Sequence, residues 1–152
     1  MTFEVGAPVA GRVIALPDVS DPVFAHEIVG PGLAIIPTRK GRLPALAPIG
    51  GTIVKLHPHA FVIAAPSSPA VLVHLGLDTV LLAGDGFSLL CEEGQKVRAG
   101  DAVVAWSPSD IRGRGLDPVV PVIVLESAGL ALTALAEPGR RVRAGEPLLR
   151  LG

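Results

Sequence analysis

The 152-residue sequence has no tyrosine, one tryptophan, four phenylalanines and one cysteine. With so little aromatic mass (3% of the chain, against 49% apolar), a core has to be assembled from Val, Leu, Ile and Ala. The lone Cys91 excludes an internal disulfide and any multi-cysteine metal centre, and points to a reducing compartment. Charge of one sign is also missing. Thirteen basic and fourteen acidic residues give a net charge of −1 with no block of like charge. A nucleic-acid-binding surface needs a basic face and aromatic stacking platforms, so that function class is excluded. The 18 glycines and 15 prolines exclude long helices, because both residues break them. Without a Gly-X-Y period, and with ample Val and Leu, this richness implies neither collagen nor disorder.

Long hydrophobic runs are absent too. The longest stretch free of Asp, Glu, Lys and Arg, Leu56 to Leu77, is broken by Pro58, Pro66 and Pro69 and carries three histidines. It reads as strands and turns rather than a membrane helix. The opening MTFEVGAPVAGRVIAL carries Glu4 and Arg12 and lacks a charged start leading into a continuous apolar core, so no signal peptide is expected. These features predict a single cytoplasmic domain over residues 1–152, large enough to bury its own core.

What remains is a regular beat of short apolar runs between turn signals, the pattern of an all-β sandwich or barrel. Strands are expected at Gly11–Leu16, Leu33–Pro37, Thr52–Leu56, Ala60–Ala65, Ala70–Leu75, Val80–Leu82, Ala102–Trp106, Val119–Leu125 and Pro147–Leu151. Only Pro22–Val29, Phe87–Cys91 and Ser109–Arg112 look helical, and all are short. Two internal echoes stand out. APVAGRVIAL at 7–16 resembles APIGGTIVKL at 47–56, and GQKVRAGDAVV at 94–104 resembles GRRVRAGEPLL at 139–149. Two copies are too few for a solenoid. They predict an antiparallel sandwich with an internally duplicated motif, in which Gly-x-x-Val-x-x-Gly-Asp/Glu forms turn, short strand and turn.

Four histidines, His26, His57, His59 and His74, are the candidate chemistry. Ala60–Ala65 and Ala70–Leu75 flank Pro-Ser-Ser-Pro and read as a hairpin. A turn centred between Pro66 and Ser67 sets His59 opposite His74; one centred between Ser67 and Ser68 makes them diagonal neighbours. Either register puts both imidazoles on one face, with Cβ atoms roughly 5 Å apart if paired and about 7–8 Å if diagonal. An odd loop would split them across the sheet. Two convergent imidazoles beside Gly76 and Asp78 suit a metal or a phosphoryl group. Neutral imidazole is a nitrogen nucleophile near neutral pH, and phosphoryl transfer asks mainly for positioning and charge stabilisation.

HAF at 59–61, VHLGLDTV at 73–80 and GDGF at 84–87 resemble the glucose-family enzyme IIA domain of the bacterial phosphoenolpyruvate:sugar phosphotransferase system. So do PVAGRVIALPDVSDPVFAHEIVGPGLAI near the start, EEGQKVRAGD at 92–101 and PVVPVIVLESA at 118–128, in order and across nearly the entire chain. The resemblance implies a duplicated antiparallel β-sandwich. It implies that His74 accepts phosphate on Nε2 from the phosphocarrier HPr and passes it to a cysteine on the IIB component of a sugar permease. It implies that His59 hydrogen-bonds the phosphoryl group, and that a backbone carbonyl around Gly76 holds the other ring nitrogen of His74. Val23, Phe24, Leu72 and Val80 would form an apolar partner surface, with Asp21 and Asp78 meeting an arginine of HPr. The transfer needs no cofactor, although a zinc ion could sit on His59 and His74 where a partner supplies a further ligand. Regulatory targets are a further class of partner in the family.

Taken alone, Phe24 reads equally as core and Asp21 as a cap before Pro22. The sequence departs from the family at His57-Pro58-His59, where an imidazole replaces a Thr hydroxyl. His57 is expected to be an exposed turn residue, and His26 a surface one. Other readings fit less well. A zinc peptidase on a similar sandwich would use His57-x-His59 and His74-x-x-x-Asp78, but the order of the two pairs is reversed. A lipoyl or biotinyl carrier needs a lysine at a hairpin tip, and Lys40, Lys55 and Lys96 lie in none of the required contexts. A regulatory module of the same fold that has lost transfer is the remaining alternative, against which both histidines are retained.

Overall fold

In a computed structural model that describes residues 3–127 and 129–152, the apolar runs form fourteen strands. The last residue of the 118–128 family segment lies outside the described residues. Strands β1 (Phe3–Gly6), β2 (Gly11–Ala15), β3 (Gly32–Pro37), β4 (Leu43–Leu46), β5 (Gly51–His57), β6 (Ala60–Ala65) and β7 (Ser68–His74) make up the first half. The second half holds β8 (Ser88–Leu89), β9 (Lys96–Val97), β10 (Ala102–Trp106), β11 (Val120–Val124), β12 (Leu132–Ala134), β13 (Arg141–Val142) and β14 (Pro147–Leu151). Two short helices, α1 (Pro22–Ala25) and α2 (Pro108–Gly113), complete it with 3-10 turns at Leu16–Asp18 and Thr79–Leu82. No helix among the described residues is long and apolar enough to cross a membrane.

All pairings are antiparallel. One sheet of eight strands runs β13-β2-β3-β11-β7-β6-β5-β9, and two sheets of three run β1-β14-β12 and β4-β10-β8. The order is explained by the duplication. Gly11 pairs with Val142 as Gly51 pairs with Val97. The copies even exchange bonds, since Gly6 donates to Pro48 O and Leu46 to Pro8 O, both at 2.9 Å. The eight-stranded sheet is thus two four-stranded halves meeting at β11 and β7, and each three-stranded sheet is the other's counterpart. The four turn glycines of the repeat, Gly94, Gly100, Gly139 and Gly145, all have φ of 90–96°, which a Cβ would strain.

The main core fills the space between the sheets, with Val13, Ile35, Ile53, Ile63, Val71, Val73 and Val122 meeting Val103, Val104, Trp106, Leu148 and Leu149. Trp106 stacks on Phe87, ring centroids 6.2 Å apart, so two of the five aromatic residues sit in one pair of rings. A smaller cluster of Leu16, Val19, Phe24, Ala34, Leu77, Val119 and Ile123 lies beside it. Along β7, Val71 and Val73 belong to the main core, whereas Leu72 packs on the smaller cluster. Alternation therefore puts His74 on the same side as Leu72.

The structure corrects several expectations. Val80–Leu82 is a 3-10 turn, not a strand: Asp78 before it is left-handed (φ 60°), which breaks the extended run. Phe87–Cys91 is not helical; Ser88–Leu89 pairs with β10 instead. Helix α1 stops at Ala25, and the left-handed Glu27 (φ 54°) prevents it from reaching Val29. Strands β1, β4 and β12 were not anticipated, being short segments interrupted by Gly, Pro or Thr.

The duplicated close approaches yield a prediction. A Cβ on Gly11 would fall 2.1 Å from Ile36 O, and one on Gly51 would fall 2.4 Å from Ala64 O. Gly11→Ala and Gly51→Ala should each destabilise by about 2 kcal/mol, as overpacking against backbone does. Gly113, in α2 with nothing within 4 Å of its Cβ position, should tolerate Ala without loss. Denaturant unfolding of the three variants checks this.

Candidate functional site

His74 ends β7 and stands half-buried where the strand gives way to the loop Leu75–Asp78. Its Nδ1 lies 2.5 Å from Gly76 O. A carbonyl oxygen can only accept, so Nδ1–H donates and, in the neutral ring, Nε2 keeps its lone pair. Gly76 takes φ 83°, and a Cβ there would lie 2.7 Å from Thr79 Cγ2 and 3.0 Å from Asp117 O. Only glycine can turn the carbonyl back onto the ring. The loop is pinned from two sides. Gly76 N–H donates to Val119 O (3.0 Å) and Leu77 N–H to Asp117 O (2.8 Å), while the buried Thr79 hydroxyl donates to Leu75 O (2.8 Å).

His59 reaches the same place by a route that neither expected hairpin register describes. The β6–β7 turn is the two-residue Pro66–Ser67, but the register shifts between Ile63 and Ala65, and Ala60 becomes the partner of His74. His59 lies off the strand, in the two-residue turn Pro58–His59 that follows the His57–Ala60 pair of β5 and β6. Leu75 N–H holds that turn against the end of β7 by donating to His59 O at 2.7 Å. The His59 and His74 rings meet edge to face, centroids 5.4 Å apart. His57, exposed at the end of β5, stacks on His59 at 5.7 Å. His26 is exposed beyond α1.

Burial lowers the pKa of His74 below the usual 6.5, against the raising influence of the Gly76 hydrogen bond and of the Asp21 and Asp78 carboxylates. His59 is lowered as well, by burial first and then by the charges of His74 and His57. Both rings are therefore neutral at neutral pH, one with a free ring nitrogen and the other available as a hydrogen-bond donor.

The surroundings combine apolar and acidic groups. Val23 (43% exposed) and Val80 (58%) are open to solvent, as is Leu81 (77%), which sequence reasoning missed. Leu72 is half-buried. Phe24 departs from the surface expectation: it is 7% exposed, and its ring packs 5.2 Å from that of His74, so it backs the site rather than facing a partner. Asp21 caps α1 by accepting from Val23 N–H at 2.9 Å. Asp21, Asp78 and Asp117 all line a recess of about 390 Å³ that continues past Leu77.

A metal fits poorly on this chain alone. His59 and His74 would supply two of the four ligands a zinc ion takes. Among the described residues, no group of three or more His, Cys, Asp or Glu side chains is placed to hold a metal. The His57, His59, His74 and Asp78 set of a peptidase is therefore not assembled.

Residues 3–130 match the family model of the phosphoenolpyruvate-dependent sugar phosphotransferase system, EIIA 1. The chain is 37% identical over 145 residues to the glucose-specific EIIA component of Halalkalibacterium halodurans, covering 94% of this chain and 82% of that protein. It is also 37% identical over 123 residues to the glucose-specific EIIBCA component of Corynebacterium glutamicum, covering 80% of this chain but only 18% of that longer protein. The solved glucose permease IIA of Mycoplasma capricolum shares the fold with a TM-score of 0.86 at 31% identity, over 99% of this chain and 96% of that one. With sequence, family model and β-sandwich in agreement, the chain belongs to the EIIA 1 family of the phosphoenolpyruvate-dependent sugar phosphotransferase system.

Proposed function

We propose that His74 accepts a phosphoryl group at Nε2 from the phosphocarrier HPr and passes it to a cysteine of the IIB component of a sugar permease. Membership of the family already makes the chain a phosphotransferase component of sugar uptake. The observation that carries the finer reading is the bond from Nδ1–H of His74 to Gly76 O, which leaves Nε2 as the nucleophile. In the first step the donor's P–N bond breaks as the Nε2–P bond forms. In the second, Nε2–P breaks as the cysteine sulfur takes the phosphorus, and the imidazole regains its lone pair.

His59 stabilises the phosphoryl group by donating a hydrogen bond to one of its oxygens from an edge-on position. Val23, Leu72 and Val80 form the apolar docking surface, and Asp21 and Asp78 select a cationic side chain on the partner, with Phe24 packed behind His74. Complementary charge of this kind mainly raises the association rate and fixes register. The EIIBCA and EIICBA names of several relatives support a IIB partner. Those names range over glucose, mannose and N-acetylglucosamine, so the sugar belongs to the permease rather than to this site. Transfer routes no step through a metal; a zinc ion shared with a partner would use His59 and His74. On this reading the chain works on the cytoplasmic side of the permease.

The deciding experiment is incubation with phosphoenolpyruvate, enzyme I and HPr. An acid-labile, base-stable phosphate should appear and should be lost in His74→Gln; labelling that survives this change overturns the reading. His59→Gln should still be labelled, but onward transfer to IIB should slow by roughly 10²–10³-fold, the cost of removing one preorganised donor.

The lowered pKa of His74 fixes the pH dependence. Because the folded value lies below 6.5, most of the rings are still neutral and nucleophilic at pH 6.5, and half-protonation is reached only at lower pH. The single-turnover rate of His74 phosphorylation should therefore reach half its plateau only below pH 6.5, as stopped-flow measurements across that range would record.

A further inference from the structure

We propose that Asp117 is a positioning residue for His74, aiming the Gly76 carbonyl at the ring through the Asp117–Val119 segment. The inference rests on the phosphoryl-acceptor reading and concerns what holds the acceptor's tautomer. Asp117 was not singled out in the sequence, because nothing in GLDPVV marks it off from an ordinary Asp-Pro turn.

The chain of contacts is short. Asp117 Oδ1 accepts from Val119 N–H at 2.9 Å, closing a local turn across Pro118. That turn presents two carbonyls in the same direction. Asp117 O accepts from Leu77 N–H at 2.8 Å, and Val119 O accepts from Gly76 N–H at 3.0 Å. The peptide units on both sides of Gly76 are thereby anchored, and the remaining polar group between them, Gly76 O, faces His74 Nδ1 at 2.5 Å. Asp117 O also lies 3.0 Å from where a Gly76 Cβ would stand. The turn thus packs directly against the residue whose φ of 83° aims the carbonyl. Val119 continues into the buried strand β11, which pairs with β7 at Val122–Val73, so the clamp is fixed to the strand that carries His74.

The physical consequence is selective. Neutral imidazole exchanges its proton between two nitrogens, and the tautomer is set by the hydrogen bond that one of them makes. If the Gly76 carbonyl swings away, part of the population carries its proton on Nε2, which can no longer attack phosphorus. Asp117 is exposed and lines the same acidic recess as Asp21 and Asp78, so the rival role for it is charge. Asparagine separates the two, because its Oδ1 still accepts from Val119 N–H while its charge is gone.

The test uses Asp117→Asn and Asp117→Ala in the full chain, with folding monitored by circular dichroism. Nitrogen-edited NMR of the imidazoles reads the His74 tautomer without any phosphoryl donor, so this arm stands even if the acceptor reading fails. Single-turnover phosphorylation by phospho-HPr is the second readout. We expect Asp117→Ala to populate the Nε2–H tautomer of His74 and to slow phosphorylation by between ~10-fold and ~100-fold, the scale on which small misplacements of a reacting group act. Asp117→Asn should restore both the tautomer and the rate to within about twofold. An unchanged tautomer in Asp117→Ala overturns the proposal, and so does an Asp117→Asn variant that fails as badly as Ala.

Discussion

The hydrogen bond from His74 Nδ1–H to the Gly76 carbonyl is the constraint around which the site is arranged. It demands a glycine with positive φ two residues past the strand end, and the same φ forces the chain to leave the sheet. Leaving the sheet creates the loop that needs Val119 and Asp117 as backbone acceptors, and Thr79 as an internal brace. It also throws Val80 and Leu81 outward in the following 3-10 turn, where they are exposed. One bond thus ties together the His74 tautomer, the path of the loop and the apolar ridge beside it.

The point where the duplication breaks down is where the site lies. The two halves repeat their outer strands closely, down to the paired Gly6–Pro48 and Leu46–Pro8 hydrogen bonds. They differ in how the second strand reaches the third. In one half β5 turns into β6 through Pro58–His59 alone, and in the other residues 16–31 intervene between β2 and β3 and carry α1. The tight turn delivers His59, and the long connection delivers Asp21 and Phe24, whose ring packs beside His74 on the same face of the sheet. The site lies where the repeat stops repeating. The repeated framework supplies the support, and the two unlike connections supply the site's side chains.

Legibility followed the range of the forces involved. Ala60–Ala65, Ala102–Trp106 and Pro147–Leu151 were readable to the residue because each is an apolar run bounded by turn formers, and the glycine-bounded repeat units were readable because two copies agree. Val80–Leu82 was misread because its β-forming composition is local, whereas the left-handed Asp78 and the outward turn are imposed by Gly76. The meeting of His59 and His74 was anticipated, but by a register that does not occur. The irregularity between Ile63 and Ala65 shifts the pairing by one, which would have separated the rings had His59 stayed in the strand. Moving His59 into the preceding turn restores their contact, a compensation between two non-local features that no spacing rule contains.

Phe24 shows how the opening scarcity of aromatics works out. A chain with four phenylalanines and one tryptophan commits Trp106 and Phe87 to one end of the main core and places Phe24 in the smaller cluster under His74. A flat, rigid ring does there what an aliphatic side chain does less well. It excludes water from one face of the imidazole without offering a hydrogen bond to either nitrogen, so it cannot compete with Gly76 for Nδ1. The desolvation that lowers the pKa of His74 and the geometry that keeps Nε2 free therefore have separate sources. A site built this way keeps the His74 ring neutral and its Nε2 unprotonated, with the acidic Asp21 and Asp78 carboxylates near enough to act on it.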